Sequence, residues 1–193
     1  MRVALITLVI GLFLGSMAFS APITYSAFLT GGNESPPNSS PGTGFARVTI
    51  DLAVQTMLID VTFTGLVAGD TASHIHCCTA VPLTGTAGVA TITPTFTGFP
   101  GGVTSGTYFH TFLLSDAGTY NPAFITAQGS LAIAEAALVA GLAAGTTYLN
   151  IHSSTFPGGE IRGFLVPVPE PSTLLLAGAA LASLALLRRR RQA

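Results

Sequence analysis

Polar and apolar residues alternate along most of the chain between residues 21 and 167. From Met57 to Thr64, for example, Ile59, Val61 and Phe63 share one phase and Leu58 has the opposite one. Residues i and i+2 lie on the same face of a strand, so this pattern is typical of half-buried β-strands. Strands are predicted at 25–29, 45–50, 57–64, 89–92, 107–114, 146–152 and 160–166, between Gly- and Pro-rich turns. They predict a mainly β fold, a single antiparallel β-sandwich or barrel.

One Ala-rich segment, Ser130 to Leu142, does not alternate. Ser130 is suited to cap a helix, and Gly145 can end one. The apolar residues Leu131, Ala134, Leu138 and Leu142 fall near helical spacing. The sequence therefore predicts one short helix within the β fold, preceded by a turn at Asn121-Pro122.

The first 20 residues have the pattern of a secretory signal peptide. Arg2 precedes an apolar run from Val3 to Leu14, and Ala18-Phe19-Ser20 supplies small residues for cleavage before Ala21. The alternative is an uncleaved anchor helix. We exclude residues 1–20 from the fold and expect the protein to be exported.

The last 26 residues, 168–193, form a second apolar segment. Pro169-Glu170-Pro171 precedes an apolar run from Thr173 to Leu187, and Arg188 to Arg191 follow it. A helix over residues 172–187 would be about 24 Å long, against a bilayer core of roughly 30 Å. Arginine side chains can reach outward to close part of that gap, and the basic cluster should stay on the cytoplasmic side. The body of the protein would then lie outside the inner membrane.

This order of Pro-Glu-Pro, apolar helix and terminal Arg cluster resembles the PEP-CTERM sorting signal of Gram-negative bacteria. The resemblance implies transient anchoring in the inner membrane and processing by an exosortase near Pro169, Glu170 and Pro171. It also implies delivery to the cell surface or the extracellular matrix. The alternative is a plain C-terminal membrane anchor.

Charge excludes one class of partner for the remaining body, residues 21–167. Its two basic residues, Arg47 and Arg162, stand against seven acidic ones, which gives a net charge of −5. Nucleic acid binding needs several cations that neutralise phosphates, so we expect no nucleic acid partner.

Three tripeptides share one design, with a central Ile between two polar residues. They are His74-Ile75-His76, Asn150-Ile151-His152 and Glu160-Ile161-Arg162. On a strand each would turn its Ile to the core and its polar pair to the opposite face. Neighbouring strands would gather the six polar residues in one buried hydrogen-bonded network that fixes pairing and register. Within it, an ion pair is expected between Glu160 and Arg162 or a histidine.

The alternative for this cluster is a metal site. Two His at i and i+2, with a third on another strand, form a plausible Zn or Cu constellation. Cys78 would share the face of His74 and His76, so His74, His76, His152 and Cys78 are the candidate ligands. Without an ion, the same residues would be structural.

Cys77 and Cys78 are adjacent and are the only cysteines in the chain. An exported protein meets an oxidising environment, so free thiols are not expected to persist. A disulfide between neighbours is strained, because their Cα atoms lie about 3.8 Å apart. A vicinal disulfide, an intermolecular bridge and metal thiolates all remain open.

Three motifs stand out in the body: the opening LTGGNESPP at residues 29–37, HIH at 74–76, and the closing YLNIHS…PGGEIRG at 148–163. Together they resemble the CHRD domain, first named in chordin. The resemblance covers about residues 25–166 and implies an extracellular β-domain without an established enzymatic role. This chain departs from the usual pattern after HIH, where Cys77-Cys78-Thr79-Ala80 replaces Gly-Pro-Ala.

No nucleophile elbow, phosphate loop or zinc-protease motif is present, so we expect no enzyme. The resemblance favours a structural or adhesive domain without a cofactor, acting with exopolysaccharide or matrix proteins in a biofilm. The alternatives are an extracellular protein that binds Cu or Zn, and a carbohydrate-binding module.

Overall fold

The computed structural model describes residues 21–169, and within them eight strands form one antiparallel sheet that curls into a half-barrel. The sheet has the order β4-β6-β7-β1-β2-β3-β5, and β8 pairs with β1. The mainly β antiparallel prediction is confirmed. The predicted signal peptide and sorting helix lie outside the described residues. The strands are β1 Ile23–Thr30, β2 Thr43–Asp51, β3 Thr56–Thr64, β4 Asp70–His76, β5 Gly106–Leu113, β6 Tyr148–Ser153, β7 Ile161–Phe164 and β8 Val166–Pro167.

Alternation along the central strands decides which face of the sheet holds the core. β1 and β2 pair from Ile23↔Ile50 to Thr30↔Thr43, and β3 continues the register on the far side of β2. The inward residues Leu29, Val48 and Ile59 have no exposed area. Burying such side chains contributes roughly 1.5–3 kcal/mol each, so a slip of one residue would be costly.

The predicted strand at 89–92 is not part of the described sheet. This segment instead follows the free edge of β4, where Ala90 N–H donates to the carbonyl of Ile75 at 2.9 Å. Further along, Phe96 N–H donates to the carbonyl of Ser73 at 3.1 Å. The contacts are too few for a ladder, but they cover an edge that would otherwise be open to pairing with another chain.

Two helices, rather than the single predicted one, pack against the sheet: α1 Pro122–Gln128 and α2 Leu131–Ala143. Asn121 caps α1 by accepting from Ala123 N–H at 2.9 Å, so the predicted turn at Asn121-Pro122 is the start of a helix. Gly129, at φ 94°, ends α1 in the left-handed conformation that favours glycine. Ser130 then caps α2, as predicted.

No single helix within residues 21–169 is both long and apolar enough to cross a membrane. Only α1 and α2 taken together reach that length and composition, and they are bent by 94°. Phe124 of α1 and Leu138 and Leu142 of α2 are buried in the hydrophobic core.

The two ends of the described chain meet at one point of the fold. Tyr25 of β1 pairs with Pro167 of β8. One residue further, Val168 N–H donates to the carbonyl of Thr24 at 2.8 Å. The start of the first strand and the end of the last strand are therefore adjacent at one edge of the domain.

Candidate metal centre

Strands β4, β6 and β7 are neighbours, which places the three polar tripeptides side by side. His74 pairs with Asn150, and Asn150 with Arg162 across the next strand boundary. The central Ile residues, Ile75, Ile151 and Ile161, have no exposed area and belong to the core. The sheet thus turns the polar residues of these strands to its outer face.

Three histidines converge on this face. His74 and His76 lie two residues apart on β4, and His152 lies on the adjacent β6. Each offers one ring nitrogen to a common point, and these nitrogens lie within 4.8 Å of one another. Three of the four predicted metal ligands are therefore together.

Each histidine ring is held from outside by one backbone carbonyl. His74 Nε2 lies 2.6 Å from Pro94 O, His76 Nδ1 lies 2.9 Å from Ala87 O, and His152 Nδ1 lies 3.0 Å from Pro157 O. A carbonyl oxygen only accepts, so each of these ring nitrogens carries the hydrogen. The other nitrogen of each neutral ring then bears a lone pair.

Those other nitrogens, His74 Nδ1, His76 Nε2 and His152 Nε2, are buried and have no hydrogen-bond partner among residues 21–169. A buried polar atom without a partner costs about 1–3 kcal/mol. Here three lone pairs face one another in a small volume. A positively charged partner placed between these nitrogens would interact favourably with all three lone pairs.

Burial lowers the pKa of all three histidines, and that of His76 falls to about 4. Loss of hydration of the charged form is the largest cause, and the carbonyl hydrogen bonds act in the opposite direction. The folded protein therefore holds neutral imidazoles at pH 7. Neutral imidazole is the form that binds a metal ion.

Tyr148 supports the cluster, although the sequence did not single it out. Its ring stacks on His76, with the two ring centroids 4.7 Å apart. Arg162 of β7 also contacts this ring, with Cζ 4.6 Å from the Tyr148 centroid. The Tyr148 hydroxyl also donates to Ala87 O at 3.3 Å, the carbonyl that holds His76. The available signal was position, because Tyr148 lies two residues before Asn150 on the same face.

Arg162 does not form the predicted ion pair with Glu160 or a histidine. Its Nε lies 3.7 Å from Glu34 Oε2 and donates to the carbonyl of Asn33 at 2.5 Å. Burial raises the pKa of Glu34 to about 7, although the Arg162 charge lowers it. Glu34 comes from the loop after β1, so sequence spacing gave no sign of this pair.

Glu160 lies apart from the histidines. Its Oε1 accepts from Ser40 Oγ and from Val67 N–H, each at 2.6 Å. The six polar residues therefore do not form the single hydrogen-bonded network that the sequence predicts. The chain turns sharply at Gly159, at φ 132°, just before Glu160, so the predicted alternation does not extend to this residue.

The structure joins Cys77 and Cys78 in a disulfide. Cys78 Sγ lies 3.5 Å from the carbonyl of Ala137 in α2, and Cys78 is not part of the cluster of His74, His76 and His152. Its prediction as a fourth ligand fails because β4 ends at His76. Beyond it, Thr79 N–H donates to the carbonyl of Thr146, which draws the chain toward α2.

Gly141→Ala should destabilise the protein by about 1–3 kcal/mol, the range of overpacked cores. A Cβ at this position of α2 would lie 2.6 Å from Cys77 Sγ and 2.8 Å from Cys78 Sγ. Urea unfolding measures the effect of Gly141→Ala in the wild type and in a Cys77→Ala/Cys78→Ala background. The loss should be clearly smaller without the sulfurs, since Thr147 Cγ2, 3.0 Å from the added Cβ, would remain while alanine favours a helix more than glycine does. An equal loss in both backgrounds would contradict this contact.

Comparison with known families agrees with the sequence motifs. The CHRD domain family matches residues 25–165, and the PEP-CTERM protein-sorting motif matches residues 167–191. No curated protein and no solved structure matches the chain. CHRD domains are a binding-type family rather than an enzyme family. The chain belongs to the CHRD domain family and carries a PEP-CTERM sorting motif, which marks it as an exported protein that an exosortase cleaves.

Proposed function

We propose that this protein is an exported metal-binding domain that holds one Zn or Cu ion on His74, His76 and His152. The observation that carries the proposal is the set of three buried ring nitrogens without partners, within 4.8 Å of one another. Export follows from the sorting motif, and we place the domain at the cell surface or in the extracellular matrix.

The carbonyl bonds are the second support. In metal sites, a histidine ligand usually donates its other ring N–H to a carbonyl or carboxylate, which fixes its tautomer and orientation. All three histidines have such a carbonyl, from Pro94, Ala87 and Pro157. A purely structural cluster would gain the same three hydrogen bonds. Its three inner nitrogens would stay buried without a partner, which costs free energy.

The chemistry of the donors selects the ion. Three imidazoles suit Zn and Cu, whereas Mg and Ca prefer oxygen ligands. Three protein ligands leave coordination positions for water or a further ligand, as in catalytic zinc sites. The bound ion would act as a Lewis acid or, as Cu, as a redox centre. A structural or adhesive role in the matrix is compatible with this site, because metal binding would also stabilise the fold.

Metal content tests the proposal directly. The processed protein, exposed to Zn or Cu and then freed of excess ion, should retain close to one equivalent by elemental mass spectrometry. His74→Ala/His76→Ala should retain less than about a tenth of that, since even loss of a supporting partner costs 10–100-fold in affinity. His110→Ala is the matched control, because His110 is half-buried on β5 and outside the cluster. Equal metal content in all three proteins, or none in the wild type, would disprove the site.

Replacing Pro169-Glu170-Pro171 by three alanines should keep the precursor in the membrane. The motif lies at the start of the matched sorting segment, residues 167–191, near which an exosortase cleaves. Immunoblots of membrane and secreted fractions would measure the ratio of precursor to processed protein. Pro82→Ala, an exposed proline of the body, should be processed normally. Normal processing of the triple variant would contradict the assignment of the motif.

A further inference from the structure

We propose that a cavity beside Arg162 binds a neutral, hexose-type sugar unit of a polysaccharide. The cavity has a volume of about 380 Å³, within the range of about 300–1,000 Å³ that small-molecule sites occupy. It lies between the loop after β1, the loop around Thr84, and the ends of β1 and β7. It does not include the three histidines, so this site is distinct from the metal centre.

A hydrogen-bond donor and an acceptor meet on its wall. Arg162 uses Nε for the carbonyl of Asn33, and the terminal nitrogens of its guanidinium make no hydrogen bond within residues 21–169. Glu34 Oε2 lies 3.7 Å from Arg162 Nε, beyond hydrogen-bond distance. Neighbouring sugar hydroxyls can accept from the guanidinium and donate to the carboxylate, because each hydroxyl does both.

Aromatic rings supply the apolar part of the site. Phe28 lines the cavity from the outer face of β1, and its side chain is 76% exposed. Phe164 lines it from β7, with Arg162 Cζ 5.8 Å from its ring centroid. An exposed ring beside polar groups suits a ligand with one apolar face and one polar edge, and the C–H face of a sugar ring is such a surface.

Charge favours a neutral ligand over an acidic one. Arg162 and Glu34 are the two ionisable residues that line the cavity, and Glu34, whose pKa burial raises to about 7, offsets the Arg162 charge in part at neutral pH. The body of the protein carries net charge −5 over residues 21–167, from two basic and seven acidic residues. A polyanionic polysaccharide would be repelled by this surface, whereas a neutral one would not.

Native affinity electrophoresis of the processed protein tests the proposal. The gels contain dextran, galactomannan or barley β-glucan as neutral probes, and alginate as the acidic one. We expect retardation by at least one neutral polysaccharide and none by alginate. Treatment with a chelator should leave the retardation unchanged, so the result does not depend on the metal site.

Two phenylalanine variants locate the binding. Phe28→Ala should weaken the retardation about tenfold, as expected for an aromatic contact at the centre of a site. Phe109→Ala is the matched control, because its side chain is 71% exposed on the same sheet but does not line the cavity. Both side chains are exposed, so neither variant should unfold. Retardation by alginate alone, no retardation, or equal effects of the two variants would overturn the proposal.

Discussion

Zinc or copper at a free concentration a thousandfold above its dissociation constant is expected to raise the free energy of unfolding by about 4 kcal/mol. In the proposed site, the ion would bind three side chains that come together only in the fold, from β4 and β6. It would also give three buried nitrogens the partner that they lack within the described chain. Urea unfolding of the processed protein, with the ion and with a chelator, measures the difference.

The His74→Ala/His76→Ala variant should lose this difference almost completely. The comparison uses the shift caused by the ion in each protein, so any lower stability of the variant without metal does not affect it. His110→Ala should keep the full shift, because its ring lies near Tyr108 and Phe112 on β5, away from the cluster. A shift of equal size in the double variant would show that the ion binds elsewhere.

Gly163→Ala is expected to destabilise the protein by about 3 kcal/mol, at the upper end of the range for overpacking. A Cβ at this position of β7 would overlap the carbonyl oxygen of Phe28 and lie 3.0 Å from Ala27 Cβ, both on β1. The obstacle is largely backbone, so it cannot yield by a change of rotamer. β7 would have to move away from β1, and Arg162 would move with it.

Gly158→Ala is the matched control for this prediction. A Cβ at Gly158, in the turn before β7, would meet no atom within 4 Å. Its free energy of unfolding should stay within about 0.5 kcal/mol of the wild type. The urea midpoints of the two variants test this difference in stability. Similar midpoints would mean that β1 and β7 can move apart without loss of stability.

The strands were predictable because alternation reports directly which side of a strand is buried. Ile59, Val61 and Phe63 share one phase in the sequence and one face of β3 in the core. Residues 89–92 show the limit of this signal, because their apolar residues contact the core from an irregular segment at the edge of β4. The first helix was missed because α1 has only seven residues, too few to establish a helical period.

The candidate site was predictable where its residues share a strand or lie on neighbouring strands. His74 and His76 are two residues apart, and the tripeptide containing His152 has the same pattern. The carbonyls of Ala87, Pro94 and Pro157 were not predictable, since any residue type can supply a carbonyl and loops decide where it lies. The same reason hid Glu34, which lies 128 positions before Arg162 in the chain.

The pairing of β8 with β1 places the sorting motif directly beside the folded domain. Val168 N–H is bound to the carbonyl of Thr24, and Pro169 is the next residue. One residue of extended chain spans only about 3.3–3.6 Å, so the sorting motif begins with no spacer between it and the folded surface. While the precursor is anchored, this end of the domain must face the bilayer at short range. Release of β8 from β1 would lengthen the chain between the folded domain and the sorting motif.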